Sequence, residues 1–111
     1  MFQKDLSIGY LIDFYGELLS ERKRSVIDMY YNEDFSLAEI AEEINISRQG
    51  VRDIIKKAEE ELNFYEEKLG LAKKMQEVEE YSNSLSSLIE KYDIPQEIKD
   101  QILLLSKAVQ Q

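Results

Sequence analysis

The residues best suited to chemistry in this chain stand close together: Ser47, Arg48, Gln49, Arg52, Asp53, Lys56 and Lys57. On a helix starting at Arg48, the polar members share one side, while Val51, Ile54, Ile55, Ala58 and Leu62 share the other. Arginine can bond bidentately to guanine and glutamine to adenine. Ser47 and the free N–H groups of a helix start can hold a phosphate. Lys56, Lys57 and the basic run Arg22, Lys23, Arg24 suit a phosphate backbone. Residues 48–57 hold four basic residues and one acid, a local charge of +3. The plainer reading is a solvated face whose cations pair with acids one turn away.

The elements that would position these residues can be read around them. Ser36-Leu37-Ala38-Glu39 fits a capping box, in which the hydroxyl caps a first-turn N–H and the glutamate reaches back. Leu37, Ile40, Ala41 and Ile44 then form one apolar helical face. Asn45 tolerates the left-handed conformation that stops a helix, and Ser47 can cap the next one. Only Asn45 and Ile46 separate the two helices, with Ile46 expected to be buried between them. Two helices across so tight a turn make a helix-turn-helix, whose second helix fits the DNA major groove.

Upstream, a first helix is expected over Leu6–Leu19, with Leu11, Phe14, Tyr15 and Leu18 inward. Gly9 and Gly16 weaken it and would allow close helix contacts. Tyr10 and Tyr15 are assigned to the core rather than to base stacking. Ser20 caps a second helix, Glu21–Tyr31, burying Val26, Ile27 and Tyr30, and Asn32-Glu33-Asp34 forms a loop. The helix from Arg48 runs on through Glu59, Glu60 and Glu61 to a stop near Gly70. These carboxylates, with Glu66 and Glu67, diverge around the helix, so a solvated face is expected rather than a metal site.

Beyond Gly70, residues Leu71, Met75, Val78, Ser82, Leu85, Ile89 and Tyr92 are spaced as a heptad seam on a fifth helix. Asp93-Ile94-Pro95-Gln96 reads as the start of a sixth, capped by Asp93, with Ile98, Ile102, Leu105 and Val109 on one side. Leu103 and Leu104 widen that face and call for a further surface, either the N-terminal part or a second subunit. The expectation is an all-α protein: a helix-turn-helix domain over residues 1–70 and a helical hairpin over 71–111, a candidate dimerisation element.

Composition narrows the function. The 111 residues carry a formal charge of −9, with 33% charged residues, no Cys and no His. Residues 1–19 sum to −2, 20–62 to −4 and 63–111 to −3. Non-specific affinity for DNA comes from basic residues displacing counterions and should be weak here. Without Cys or His, thiolate zinc sites and the commonest general base are absent. No glycine-rich phosphate loop or nucleophile–base pair stands out, so neither enzymatic activity nor a cofactor is expected. No apolar run approaches the roughly 20 residues that span a bilayer, and the N-terminus lacks the pattern of a secretory signal, so a cytoplasmic location is expected.

The stretch from Leu18 to Leu62 resembles region 4 of bacterial sigma factors. More specifically, "DFYGELLSERK", "MYYNEDFSLAEIAEEINISRQGVRD" and "YEEKLGL", in this order, resemble the YlxM-like family of small bacterial proteins. The resemblance spans about Leu11 to Leu71. It implies a DNA-binding regulatory protein tied to the signal recognition particle pathway, with DNA, the particle's RNA or its protein as partners. Ser47, Arg48, Gln49, Val51, Asp53 and Lys56 fit the family pattern. Gly50, Arg52 and Ile54 depart from it, where Ala, Tyr and Asn are usual. The alternative is a protein-interaction module docking on a ribonucleoprotein or another basic partner, favoured by the acidic balance.

Overall fold

The computed structural model describes residues 6–110, with side chains from Ser7 onward. Among the described residues the chain forms six α-helices and one 3-10 turn, with no strand: α1 (Leu6–Tyr15), the 3-10 turn (Gly16–Leu18), α2 (Glu21–Tyr31), α3 (Leu37–Ile44), α4 (Arg48–Leu69), α5 (Leu71–Lys91) and α6 (Gln96–Gln110). The fold is all-α, and the chain divides into two compact units at Gly70 and Leu71.

In the first unit each helix boundary has a local cause. Ser20 caps α2 by accepting from the Lys23 N–H at 3.3 Å. Ser36 and Glu39 complete the capping box at 3.0 Å in both directions. Gly70 ends α4 in the left-handed region, at φ 64°, where a residue without Cβ is least strained. Asp34 also lies there, at φ 56°, and the loop holding it is tied back by the Phe35 N–H to the Met29 carbonyl at 2.9 Å.

The core gathers Val26, Met29 and Tyr30 of α2, Ile40 and Ala41 of α3, and Val51 and Ile55 of α4. Leu37, Ile44 and Ile54 pack against it partly buried. Ile46 is likewise only half-buried, since the two-residue turn leaves one of its sides open. Ile27, Ala58 and Leu62 are fully buried. Burying such aliphatic side chains contributes roughly 1.5–3 kcal/mol each, which makes α4 the spine of this unit.

The first helix differs from its expected course. It ends at Tyr15, and the 3-10 turn followed by extended backbone at Leu19 (ψ 154°) shifts the register. Leu18 is therefore turned out, 56% exposed, and Leu19 is buried in its place. Ile8 and Ile12 join Leu11 and Tyr15 inside, while Phe14 is half-buried. Gly16 allows the close approach: a Cβ there would lie 3.3 Å from Ile12 Cγ2, whereas one at Gly9 would meet open space. Tyr15 is a core residue, 1% exposed, and Tyr10 packs edge-on to Phe14 with ring centroids 5.1 Å apart.

In the second unit α5 and α6 pack as a hairpin. Ser82 and Ile89 are buried, and Met75 and Val78 are half-buried. Three members of the expected seam are exposed instead: Leu71 (50%), Leu85 (37%) and Tyr92 (65%). Leu71 opens the helix, and Tyr92 lies beyond its last residue, Lys91. Leu85 lies about 60° round the helix from Ser82, on the flank of the seam. Helix α6 starts at Gln96, with the Pro95 carbonyl accepting from the Ile98 and Lys99 N–H groups at 3.0 and 3.2 Å. The cap position is thus Pro95, two residues past the expected Asp93, because proline disfavours helical backbone at the preceding Ile94. None of the described residues of α6 is buried.

Candidate nucleic-acid interface

The turn between α3 and α4 is closed by backbone geometry. Asn45 sits at φ 57°, ψ 51°, and its N–H donates to the Ala41 carbonyl, as does that of Ile46 at 3.0 Å. The chain then becomes extended at Ser47, whose hydroxyl accepts from the Gly50 N–H at 3.0 Å. Helix α4 thus begins three residues after Asn45, its first N–H groups having no acceptor within the helix.

Arg48, Gln49, Arg52, Asp53, Lys56 and Lys57 are all exposed. At 100° per residue they cover an arc of about 180°, whereas Val51, Ile55, Ala58 and Leu62 occupy about 60° on the buried side. Among the described residues, no acid side chain forms an ion pair with Arg48, Arg52, Lys56 or Lys57. Asp53 instead accepts from the Gln49 amide at 3.0 Å. That bond uses one amide hydrogen and leaves the Gln49 carbonyl oxygen and its other hydrogen available. The i, i+4 spacing would have revealed this pair from the sequence.

The basic run at the start of α2 is split in three directions. Lys23 pairs with Glu61 at 3.0 Å, and Arg24 approaches Glu17 at 4.0 Å. Arg22 lines a surface cleft with Ser20, Glu21, Ser25, Val26 and Ile44, the last residue of α3. Of the three, Arg22 alone shares a cleft with the end of α3, while Lys23 is held by the acidic half of α4.

The carboxylates in the second half of α4 are not simply a solvated face. Glu59 accepts from the Tyr31 hydroxyl at 2.9 Å, Glu61 from Lys23, and Glu66 from the Tyr15 hydroxyl at 2.6 Å. They diverge as the helix requires, each to a different partner on α1 or α2. Sequence periodicity marks a face but not what stands opposite it. On α3, Glu39, Glu42 and Glu43 are exposed and line a depression with the half-buried Phe35. The Ser36 backbone N–H, followed by its hydroxyl, holds the Glu39 carboxyl below its ordinary value of 4.5.

Capped helix, left-handed turn and second capped helix with an exposed polar face together define a helix-turn-helix protein. The chain belongs to the family described as "Putative helix-turn-helix protein, YlxM / p13 like", whose profile matches residues 2–104. A relative from Listeria welshimeri is 44% identical over 101 residues, covering 90% of this chain and 92% of the relative. One from Caldanaerobacter subterraneus subsp. tengcongensis is 56% identical over 73 residues, and one from Thermoanaerobacter sp. strain X514 is 53% identical over 73. Each of these two matches covers 66% of this chain and 62% of the relative. No described helix is long and apolar enough to cross a membrane.

Proposed function

We propose that this protein is a cytoplasmic regulator that binds DNA through the start of α4 and acts as a homodimer in the signal recognition particle pathway. One observation carries the nucleic-acid reading: among the described residues, Arg48, Arg52, Lys56 and Lys57 stand exposed and without acid partners behind a capped helix start. Arg48, Gln49, Arg52 and Asp53 lie in the first two turns, which are the turns that reach base edges. Ser47, Lys56 and Lys57 would meet the phosphate backbone. The pathway assignment rests on the resemblance carried by residues Leu11 to Leu71, and it makes the particle's RNA and protein the alternative ligands to test. With a chain charge of −9, general affinity for polyanions is low, so the proposed binding is selective.

The test is binding to fragments of the host genome and to signal recognition particle RNA over a range of salt. Engaging three or four phosphates would give log affinity a slope of about −3 against log salt. Replacing Arg48 and Arg52 with Ala should abolish selective binding, since a good bidentate base contact contributes roughly 1–3 kcal/mol. Absence of salt-dependent binding to either nucleic acid at micromolar protein would sink this reading.

A second reading has its own observation: the depression lined by Phe35, Glu39, Glu42 and Glu43 sets three carboxylates beside a half-buried aromatic ring. A basic protein partner, such as one in a ribonucleoprotein, would dock there without DNA. Partner capture unchanged by Arg48→Ala with Arg52→Ala, but lost on Glu42→Lys with Glu43→Lys, would select this reading over the first.

A further inference from the structure

The hairpin carries an apolar strip that its own two helices do not cover. Tyr81, Leu85 and Leu88 of α5, with Tyr92 just past its end, follow spacings of four, three and four, and are 73%, 37%, 43% and 65% exposed. The three on α5 flank the packed positions Ser82 and Ile89 by roughly 40–120° around the helix. Ile98 and Leu105 of the antiparallel α6 are 49% and 51% exposed. Tyr81 and Leu85 meet Leu105 in a groove of about 160 Å³, lined also by Val78, Ser82 and Val109. Exposed apolar surface therefore passes from one helix to the other at this groove.

Its charge pattern is unlike the rest of the chain. No charged residue occurs between Glu80 and Glu90, nor between Asp100 and Lys107, in a protein that is 33% charged. Depletion of charge with exposed Tyr is a feature of interface cores. We infer that this strip is the homodimer interface, occupied by the same strip of a second copy, so that two hairpins form a four-helix bundle.

Three observations favour a second copy over other occupants. The six strip residues expose roughly 600 Å² per copy, so a symmetric pair can bury at most about 1,200 Å² through them, where specific stable interfaces begin. A hairpin of 41 residues, 71 to 111, with no buried residue among those described in α6, lies close to the size of about 40 residues under which a core usually needs oligomerisation or another staple. The hairpin sequence holds five basic and seven acidic residues, a charge of −2, against nine and sixteen, or −7, for residues 1–70. Self-association thus meets little repulsion, and an uncharged strip offers no charge by which to select a polar partner. In a two-fold pair each groove receives an apolar side chain from the other copy.

This rests on the homodimer of the proposed function and names its surface. The test is the mass of the full chain in solution, by light scattering or sedimentation, without nucleic acid. The expected mass is twice 13.1 kDa. Leu88→Glu with Leu105→Glu, which leaves Ser82 and Ile89 untouched, should give a monomer with the same helix content. Should that pair unfold, the milder Leu88→Gln should weaken dimerisation, and Leu88→Cys, in a chain without other cysteines, should give a disulfide-linked dimer on oxidation. A monomeric native chain overturns the inference and shows the strip to be covered from within the chain or by another protein. A dimer that survives Leu88→Glu with Leu105→Glu overturns it by placing the interface elsewhere. Arg48→Ala with Arg52→Ala should lose nucleic acid and keep the doubled mass, so the two readings fail separately.

Discussion

The Tyr15 hydroxyl donates to the Glu66 carboxylate across 2.6 Å and 51 positions of sequence. This bond joins α1 to the far end of α4, at the opposite end of that helix from the reading residues. Tyr15 is 1% exposed, and its ring lies 6.0 Å from that of Tyr65. Tyr15→Phe keeps the packing and removes the donor. Hydrogen bonds to charged groups contribute about 1.5–3 kcal/mol, and Glu66 is only half-buried, so a loss of about 1.5 kcal/mol is expected in urea unfolding. An unchanged midpoint would show that water replaces the phenol at no cost.

The turn at Asn45 depends on a left-handed residue. Asn45→Gly should be nearly neutral, because glycine adopts φ near 57° without strain. Asn45→Val should cost about 1–2 kcal/mol or more, the order of the left-handed penalty for residues with a Cβ. Thermal unfolding of the two variants checks the ranking, and equal stabilities would refute it.

Gly50 lies in the first turn of α4, where its N–H donates to Ser47. A Cβ there would stand 3.2 Å from Ile46 Cδ1 and 3.3 Å from Ser47 Oγ. Alanine gains about 1 kcal/mol of helix propensity, but the end of the flexible Ile46 side chain must move aside. Gly50→Ala should raise stability by less than that full amount, seen as a Tm increase of a few degrees. A fall in Tm would show that the half-buried Ile46 cannot yield.

The capping box makes stability depend on acid. The Glu39 carboxyl is held below its ordinary 4.5, chiefly by the Ser36 backbone N–H and then by its hydroxyl. A lowered folded value means the unfolded chain takes up the proton first. The contribution is therefore fully present above pH 4.5 and lost as pH falls through the lowered value. Glu39→Gln keeps an acceptor but no charge, so its stability should vary less with pH below 4.5 than that of the native chain. Identical acid profiles would count against the assignment.

Much of this protein is local and so legible in its sequence. Each of Ser20, Ser36, Asn45, Ser47 and Gly70 acts on backbone groups within a few positions of itself. Their spacing already defines α2 to α4 and the two-residue turn. The exposed side of α4 follows from its apolar period, so the sequence alone puts Arg48, Gln49, Arg52, Asp53, Lys56 and Lys57 on one face.

What required the tertiary structure was the matching of distant groups. Periodicity showed Glu59, Glu61 and Glu66 as an acidic face, but only packing brought Tyr31, Lys23 and Tyr15 against them. The same packing drew Lys23 away from the basic run and left Arg22 beside the end of α3. Leu18 and Leu85 had apolar periods that pointed inward, yet a 3-10 turn moved one and the flank of a two-helix contact exposed the other. A residue's own type and neighbours decide how its backbone turns. Whether its side chain meets core, partner or water depends on groups brought from elsewhere in the chain.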